Sequence, residues 1–407
     1  MFENIIGQAE TLRTLRGELS EARLPRASLF VGPAYAGKLS VALEVARVLT
    51  CAVGTAEWSC DCQACRLQKE LSHPHTVLLG PRYSDVEIPA CAEALKHTRK
   101  PATLYLFLRA VRKLTRRFDS CILDPDDTRM KGAQEKVARV EELLGDLGPG
   151  RELPAERELD DLVEKIMTAS SVLAQQVRAD GITIGQVRRL SSWTHLTASG
   201  SRKVAIIENA DRMQDSARNA LLKLLEEPPE GVHLILLSTR RAAIIPTILS
   251  RLRPFVFTQR SPAEERDVMV KIFRQENPTV GSLRGFFLSW REINPEKLAG
   301  LSHGFLERVL ADPPPGLGVT EQLSDLLPER GQKKERSPKE IATSFLEELT
   351  IRFQEILRSG QGSADVLESW SFSVREANTR LETYNMSPSE VLEALYYRMR
   401  TDREASV

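Results

Sequence analysis

In two parts of the chain, short apolar runs alternate with stretches whose apolar residues recur every three or four positions. Ser28-Leu29-Phe30-Val31 runs into Gly32-Pro33, and Val204-Ala205-Ile206-Ile207 and Leu234-Ile235-Leu236-Leu237 have the same unbroken apolar character. Such runs predict strands buried on both faces, as in a parallel sheet. Phe255-Val256-Phe257 predicts a final strand. Leu12, Leu15 and Leu19 predict a helix over 10–19. Val41, Ala42, Val45, Ala46, Val48 and Leu49 predict one over 38–50, and Ala217, Ala220, Leu221, Leu224 and Leu225 one over 216–227. Strands alternating with helices specify an α/β architecture with a parallel sheet.

The pattern changes over 82–175, which carries no clear buried strand and reads as helical. Eight basic residues and no acidic one fall between Lys96 and Arg117, whereas nine acidic and two basic residues fall between Glu141 and Glu164. Asp124-Pro125-Asp126-Asp127 is a turn signal, and Pro149-Gly150 marks a further break. Leu104, Leu108, Val111 and Phe118 share an apolar face, with Arg109, Arg112, Lys113, Arg116 and Arg117 mostly elsewhere. This basic helix either pairs with the acidic stretch or meets DNA or an acidic partner. Beyond 257 the chain reads as helical. Ser261-Pro262-Ala263-Glu264 combines an N-cap, a proline at the first helical position and a glutamate three residues after the cap. Pro313-Pro314-Pro315-Gly316 and the charged stretch 330–338 are breaks, and Ile341, Phe345, Leu349, Phe353, Ile356 and Leu357 predict one apolar stripe in a bundle over 339–400.

At 407 residues, two or three domains are expected. The 56 Lys and Arg balance the 56 Asp and Glu, so no field from the whole molecule draws in nucleic acid, and any such contact comes from patches or partners. No apolar run is long enough to span a membrane. Met1-Phe2-Glu3-Asn4 lacks the look of a secretory signal. Six cysteines are too few for a disulfide scaffold, and four of them lie between Cys51 and Cys65, which points to metal in a reducing cytoplasm.

Two constellations carry chemistry. Gly32-Pro33-Ala34-Tyr35-Ala36-Gly37-Lys38 fits the phosphate-loop pattern between a strand and a helix. Backbone N–H groups of such a loop and the following helix N-terminus face phosphate oxygens, and Lys38 would reach the terminal ones. The Mg²⁺-ligating hydroxyl expected next is replaced by Leu39, and Ser40 stands about 100° round the helix. The strand ending at Ile207 is followed by Glu208, which can organise Mg²⁺, and by Asn209, where a hydrolysing protein places a general base. The loop is thus either a nucleotide site or a plain strand-to-helix turn. The second constellation, Cys51, Cys60, Cys62 and Cys65, suits a tetrahedral structural Zn²⁺ site. If one thiolate is lost, His73 or His75 is the substitute.

Phe2-Glu3-Asn4-Ile5-Ile6-Gly7-Gln8, the strand and loop through Lys38, Asn219-Ala220-Leu221-Leu222-Lys223-Leu224-Leu225-Glu226-Glu227-Pro228-Pro229, and Pro246-Thr247-Ile248-Leu249-Ser250-Arg251 resemble the clamp-loader subunits of bacterial DNA polymerase III, of the delta-prime type and, nearby, the gamma/tau type. The resemblance implies an AAA+ P-loop nucleotide-binding domain over 1–257, with a zinc module at 51–65 and a helical insert at 82–175. A helical lid over 258–330 and a helical collar over 339–400 complete the expected organisation. The family's zinc module has one residue more between its second and third cysteines. The resemblance makes Arg251 a catalytic arginine supplied to the ATP of a neighbouring subunit, although Leu252 stands where the family has cysteine. Gly32, Gly37, Lys38, Ser40 and Glu208 become a nucleotide site for ATP or ADP, or the vestige of one. The implied partners are gamma/tau and delta subunits in a hetero-oligomer, with primed DNA and the sliding clamp met through that complex, in the cytoplasm at the nucleoid. The alternative is a gamma/tau-like ATP-hydrolysing motor.

Overall fold

The structure is a computed structural model that describes residues 1–404 apart from 55, 82–85, 125–131, 149–150, 177–180, 197–201, 279, 291–292, 312–337, 361, 383 and 385. The expected breaks at Pro125–Asp127, Pro149-Gly150 and Pro313–Gly316, and the charged stretch 330–337, lie outside the described residues. The chain divides into two compact units, Met1–Phe287 and Leu288–Val407, and the division falls inside the stretch expected as a lid.

In the first unit the elements run α1 (Ala9–Ser20), β1 (Ala27–Val31), α2 (Lys38–Thr50), α3 (Gln63–Lys69), β2 (Thr76–Leu79), α4 (Glu87–Thr98), α5 (Pro101–Thr115), α6 (Ala133–Gly145) and α7 (Glu156–Ala174). Then come α8 (Ile184–His195), β3 (Lys203–Ile207), α9 (Asp215–Glu226), β4 (Val232–Ser238), α10 (Pro246–Leu249), β5 (Arg253–Val256) and α11 (Pro262–Lys271), with α12 (Leu283–Trp290) at the division. The five strands form one parallel sheet in the order β2-β3-β4-β1-β5. β2 is a strand the hydrophobic pattern did not single out: Thr76-Val77-Leu78-Leu79 is only four residues long and sits between Pro74 and Gly80. β5 begins at Arg253, earlier than the expected Phe255.

Phe2, Leu12 and Leu15 join Val41 and Val45 of α2 against Phe30, Leu78, Ile206 and Ile235 of the sheet. The amino-terminal segment is fastened to the exit of β5, because Gln8 exchanges two hydrogen bonds with the backbone of Thr258, at 2.8 and 2.9 Å. Over the stretch expected as an insert, α4 to α7 pack on one another, and Leu95, Phe107, Leu108, Val111, Leu144 and Ile166 are buried. The predicted capping box at Ser261 forms in full, with Glu264 N–H donating to the serine hydroxyl at 3.2 Å and the Glu264 carboxylate accepting from Ser261 N–H at 2.8 Å.

In the second unit, α13 (Pro295–Leu310) packs against two helices, Pro338–Ser359 and Pro388–Glu404, and a third, Ala364–Glu382, packs against those two. Ile341, Phe345, Leu349 and Phe353 are buried as expected, but Leu357 is 55% exposed. Each step of four residues turns the stripe by about 40°, so a line of such steps leaves the buried face within a few turns. Phe305 meets Phe345 and Tyr396 edge to face, with ring centres 5.4 and 5.9 Å apart.

Candidate functional site

The loop of Gly32–Lys38 leaves the carboxyl end of β1. From β1 the chain goes to β2 on one side, whereas β4 connects to β5 on the other, and ligands of open α/β sheets lie at such a switch. Gly32 is required here because a side chain would run into the Phe257 carbonyl, and Gly37 takes φ 90° at the N-cap of α2. The Lys38 ammonium is folded back onto the loop, donating to the carbonyl of Gly32 at 2.7 Å and to that of Pro33. Burial pushes its pKa down to about 8, against the pull of the Asp211 carboxylate.

Asp211 was passed over in the sequence, although it lies four residues beyond the end of β3. It is buried, accepts from the Ser238 hydroxyl at 2.8 Å at the end of β4, and takes both Nε and Nη2 of Arg240, at 3.1 and 2.9 Å. Leu39 packs against the core and Ser40 is exposed. The loop tip is held from outside. The Tyr35 ring stacks on Phe287 at 5.5 Å and 19°, and the half-buried Arg260 donates to the Tyr35 carbonyl and, through Nε and Nη2, to the Ile6 carbonyl at 3.2 Å.

Glu208 is placed otherwise. Its carboxylate meets Arg117 of the insert at 3.4 Å, with both side chains buried, and the same guanidinium donates to the Gly80 carbonyl. The Asn209 amide donates to the Pro81 carbonyl at 2.7 Å. The basic run, expected as one helix, is split between α4, which carries Lys96, and α5, and it is largely consumed by ion pairs, only partly with the acidic stretch. Lys96 meets Glu164 at 2.6 Å and Arg112 meets Glu141 at 3.3 Å, while Arg112 also reaches Glu70 at 3.0 Å and Lys113 pairs with Glu87. Lys113 and Arg117 are buried, not on the open face that the sequence pattern assigned them.

The four cysteines come together, with all four Sγ atoms within 4.8 Å of one another. Zn–S bonds of 2.3 Å at tetrahedral angles put sulfurs about 3.8 Å apart, and the Cys51 and Cys60 sulfurs are separated by 3.8 Å. Cys62 caps α3, its sulfur accepting from Cys65 N–H at 3.5 Å. Burial alone would raise the Cys62 thiol, but N–H groups of Cys65 and Ala52 and the neighbouring thiols bring it down to about 6. The donor set fits a metal ion such as zinc. Neither His73 nor His75 is part of the cluster; His73 Nδ1 accepts from His75 N–H at 3.1 Å. A buried ion pair ties this cluster to α2. Arg47, 1% exposed, holds Glu44, 2% exposed, at 2.6 Å, and donates to the carbonyls of Ala56 and Glu57 and to the Cys65 sulfur at 3.2 Å. A charged pair three residues apart within the apolar run Val41–Leu49 is the sequence signal that could have found it.

Arg251 follows α10 at the other end of the sheet. β5 pairs with β1 so that Arg253 faces Ser28. At about 3.3 Å per residue, some 13 Å of strand separates the level of Arg253 from that of Gly32, and Arg251 precedes Arg253. The side chain, 34% exposed, donates through Nη2 to Glu226 at 2.7 Å and through Nη1 to the Thr247 carbonyl at 2.8 Å.

Fold and site define an AAA+-type α/β domain followed by a helical unit. The sequence model of the family described as "DNA polymerase III, delta subunit" matches residues 7–104 and 159–261, just under half of the chain. The chain is similar to DNA polymerase III subunit delta' of Pseudomonas aeruginosa, 42% identical over 81 residues, which are 20% of this chain and 25% of that one. It is also similar to the delta' subunit of Bacillus subtilis, 32% identical over 98 residues (23% and 30%), and to the gamma/tau subunit of Mycobacterium bovis, 35% over 78 residues (19% and 14%). Over these segments the chain is similar to clamp-loader subunits of DNA polymerase III. The aligned stretches span less than a third of each of these relatives. Residues 105–158, most of α5 and all of α6, lie between the two matched segments. Among the described residues, no helix is long and apolar enough to cross a membrane.

Proposed function

We propose that this chain is a delta-prime-like subunit of the clamp loader, which helps to place the sliding clamp on primed DNA by supplying Arg251 to the ATP site of a neighbouring subunit. The observation that carries this reading is the separation of Arg251 from the chain's own loop: an arginine at the amino end of β5 cannot reach a phosphate at the carboxyl end of β1. Its permanently charged, planar fork suits phosphate oxygens and steadies the charge that builds up in phosphoryl transfer. The chain's own loop fits an idle site. Lys38 is bonded to loop carbonyls, Leu39 offers no metal ligand, and Asn209 offers no base. The expected partners are gamma/tau and delta subunits in the bacterial cytoplasm, and the DNA and clamp are met through that assembly.

The alternative, a gamma/tau-like ATP-hydrolysing motor, draws on Asp211 beside Lys38, a buried carboxylate that an active site would use. Reconstitution with gamma/tau and delta subunits decides between them. Loss of clamp loading in Arg251→Ala with Lys38→Ala active supports the first reading, and the reverse supports the second.

Cys51, Cys60, Cys62 and Cys65 are read as a structural zinc site. Four protein ligands leave no open position, so bound zinc would supply local stability and no catalysis. Protein purified without chelator is expected to hold one zinc per chain, and much less than one by elemental analysis would count against the site.

A further inference from the structure

We propose that Glu226 is a positioning residue for Arg251, fixing the guanidinium in the orientation in which it meets a neighbouring subunit's phosphates; this rests on the reading of Arg251 given above. Glu226 is the last residue of α9, and Arg251 lies two residues past the end of α10, which packs on α9. The two anchors of the guanidinium come from different helices and take different nitrogens. Nη2 donates to the Glu226 carboxylate at 2.7 Å, while Nη1 donates to the Thr247 carbonyl at 2.8 Å and faces the Ser250 hydroxyl at 3.4 Å. Holding both ends of the fork sets the plane of the group. Nε has no hydrogen-bond partner among the described residues, so a donor remains for an anion.

An arginine side chain left to itself samples many rotamers, and ordering it for a bond across an interface costs entropy. Glu226 removes part of that cost before the neighbour arrives. The carboxylate is 50% exposed and the guanidinium 34% exposed. Such a surface pair is weak enough for a phosphate group to compete for Nη2. Glu226 therefore holds the arginine ready without withholding it.

The test is ATP turnover by the assembled complex with gamma/tau and delta subunits. Glu226→Ala is expected to lower kcat about two- to fivefold, the range an exposed ion pair covers, with KM for ATP unchanged. Glu226→Gln, whose amide oxygen still accepts from Nη2, is expected to recover most of that loss. In an Arg251→Ala background, Glu226→Ala is expected to add nothing. Wild-type or faster turnover in Glu226→Ala, or the same fall in both backgrounds, overturns the positioning role while leaving Arg251 in place. A silent Arg251→Ala overturns the reading of Arg251 and the positioning role with it.

Discussion

Lys38 and Arg251 are the two cations that a resemblance to clamp loaders would aim at phosphate, and the fold holds them in opposite ways. Lys38 is half-buried, bonded to carbonyls of its own loop, and pushed by burial toward losing its charge. Arg251 stands at the opposite end of the sheet, partly exposed, steadied by a surface carboxylate. A cation that must answer a ligand from outside the chain needs exposure and a weak tether. One that closes on two carbonyls of its own loop has two of its three donors occupied. On the proposed reading, the difference gives Arg251 an outward role and Lys38 a local one.

The largest expected effect tests the outward half of that contrast. Arginines supplied across an interface reach about 10³–10⁵ in rate in well-studied phosphoryl-transfer systems. Arg251→Ala should cost at least about tenfold at the ATP site it completes, with assembly preserved, since its bonds are surface bonds. Several sites contribute to total turnover, so single-turnover measurement at limiting ATP is the sharper readout. Arg251→Lys should recover little, because an ammonium keeps the charge and loses the planar fork. Full activity in Arg251→Ala would remove the distinction between the two cations.

A third cation sharpens the contrast by being wholly structural. Arg47 is as deep as a core leucine and joins α2 to the cysteine cluster through Glu44, two carbonyls and a sulfur. Removing one partner of a buried ion pair leaves the other charge uncompensated, typically at about 3–5 kcal/mol. Arg47→Met should lower unfolding stability by that order in denaturant titration, and Arg47→Met with Glu44→Met should recover part of it. Equal stability of wild type and Arg47→Met would mean that depth alone does not distinguish structural cations from presented ones.

Much of this arrangement was legible in the sequence, and the gaps have physical causes. Strands β1, β3 and β4 could be read because burial on both faces leaves an unbroken apolar run. β2 was missed although Thr76-Val77-Leu78-Leu79 is as long as the runs that were read and is bounded by Pro74 and Gly80, a strand signal that could have found it. The cysteine cluster was legible from spacing. The fate of Glu208 was not: its partner Arg117 lies 91 residues away in an insert, and no local pattern reports so distant a pairing. Charge runs predicted that the basic helix would pair, but chose the wrong partners for several residues, because Glu70 and Glu87 lie outside the acidic stretch and only the fold brings them near.

A smaller effect concerns the charge of Lys38. Its folded pKa of about 8 lies below the ordinary lysine value of 10.5, so the unfolded chain binds more protons between those limits. Stability should therefore rise as pH increases from about 8 to about 10.5 as the burial cost of the charge disappears, by about 1–3 kcal/mol. The rise should be missing in Lys38→Met, measured by urea unfolding at pH 7.5 and 9.5. An identical pH profile in the two proteins would mean that the ammonium is better solvated than its bonds to Gly32 and Pro33 imply.

The smallest expected effect is Lys38→Ala on turnover of the assembled complex. If the loop is idle, the substitution removes two bonds to backbone carbonyls and a half-buried charge, and nothing that a neighbouring ATP site uses. Those carbonyls remain near solvent, since Ala34 and Tyr35 at the loop tip are exposed, so water can replace the ammonium. The Tyr35 stack on Phe287 and the Arg260 bonds continue to hold the tip. Turnover should thus change by less than about twofold, within the scatter of surface substitutions. A loss comparable to that of Arg251→Ala would reverse the contrast: Asp211, Ser238 and Lys38 would then be parts of a working site, and the chain would be a motor that also lends an arginine.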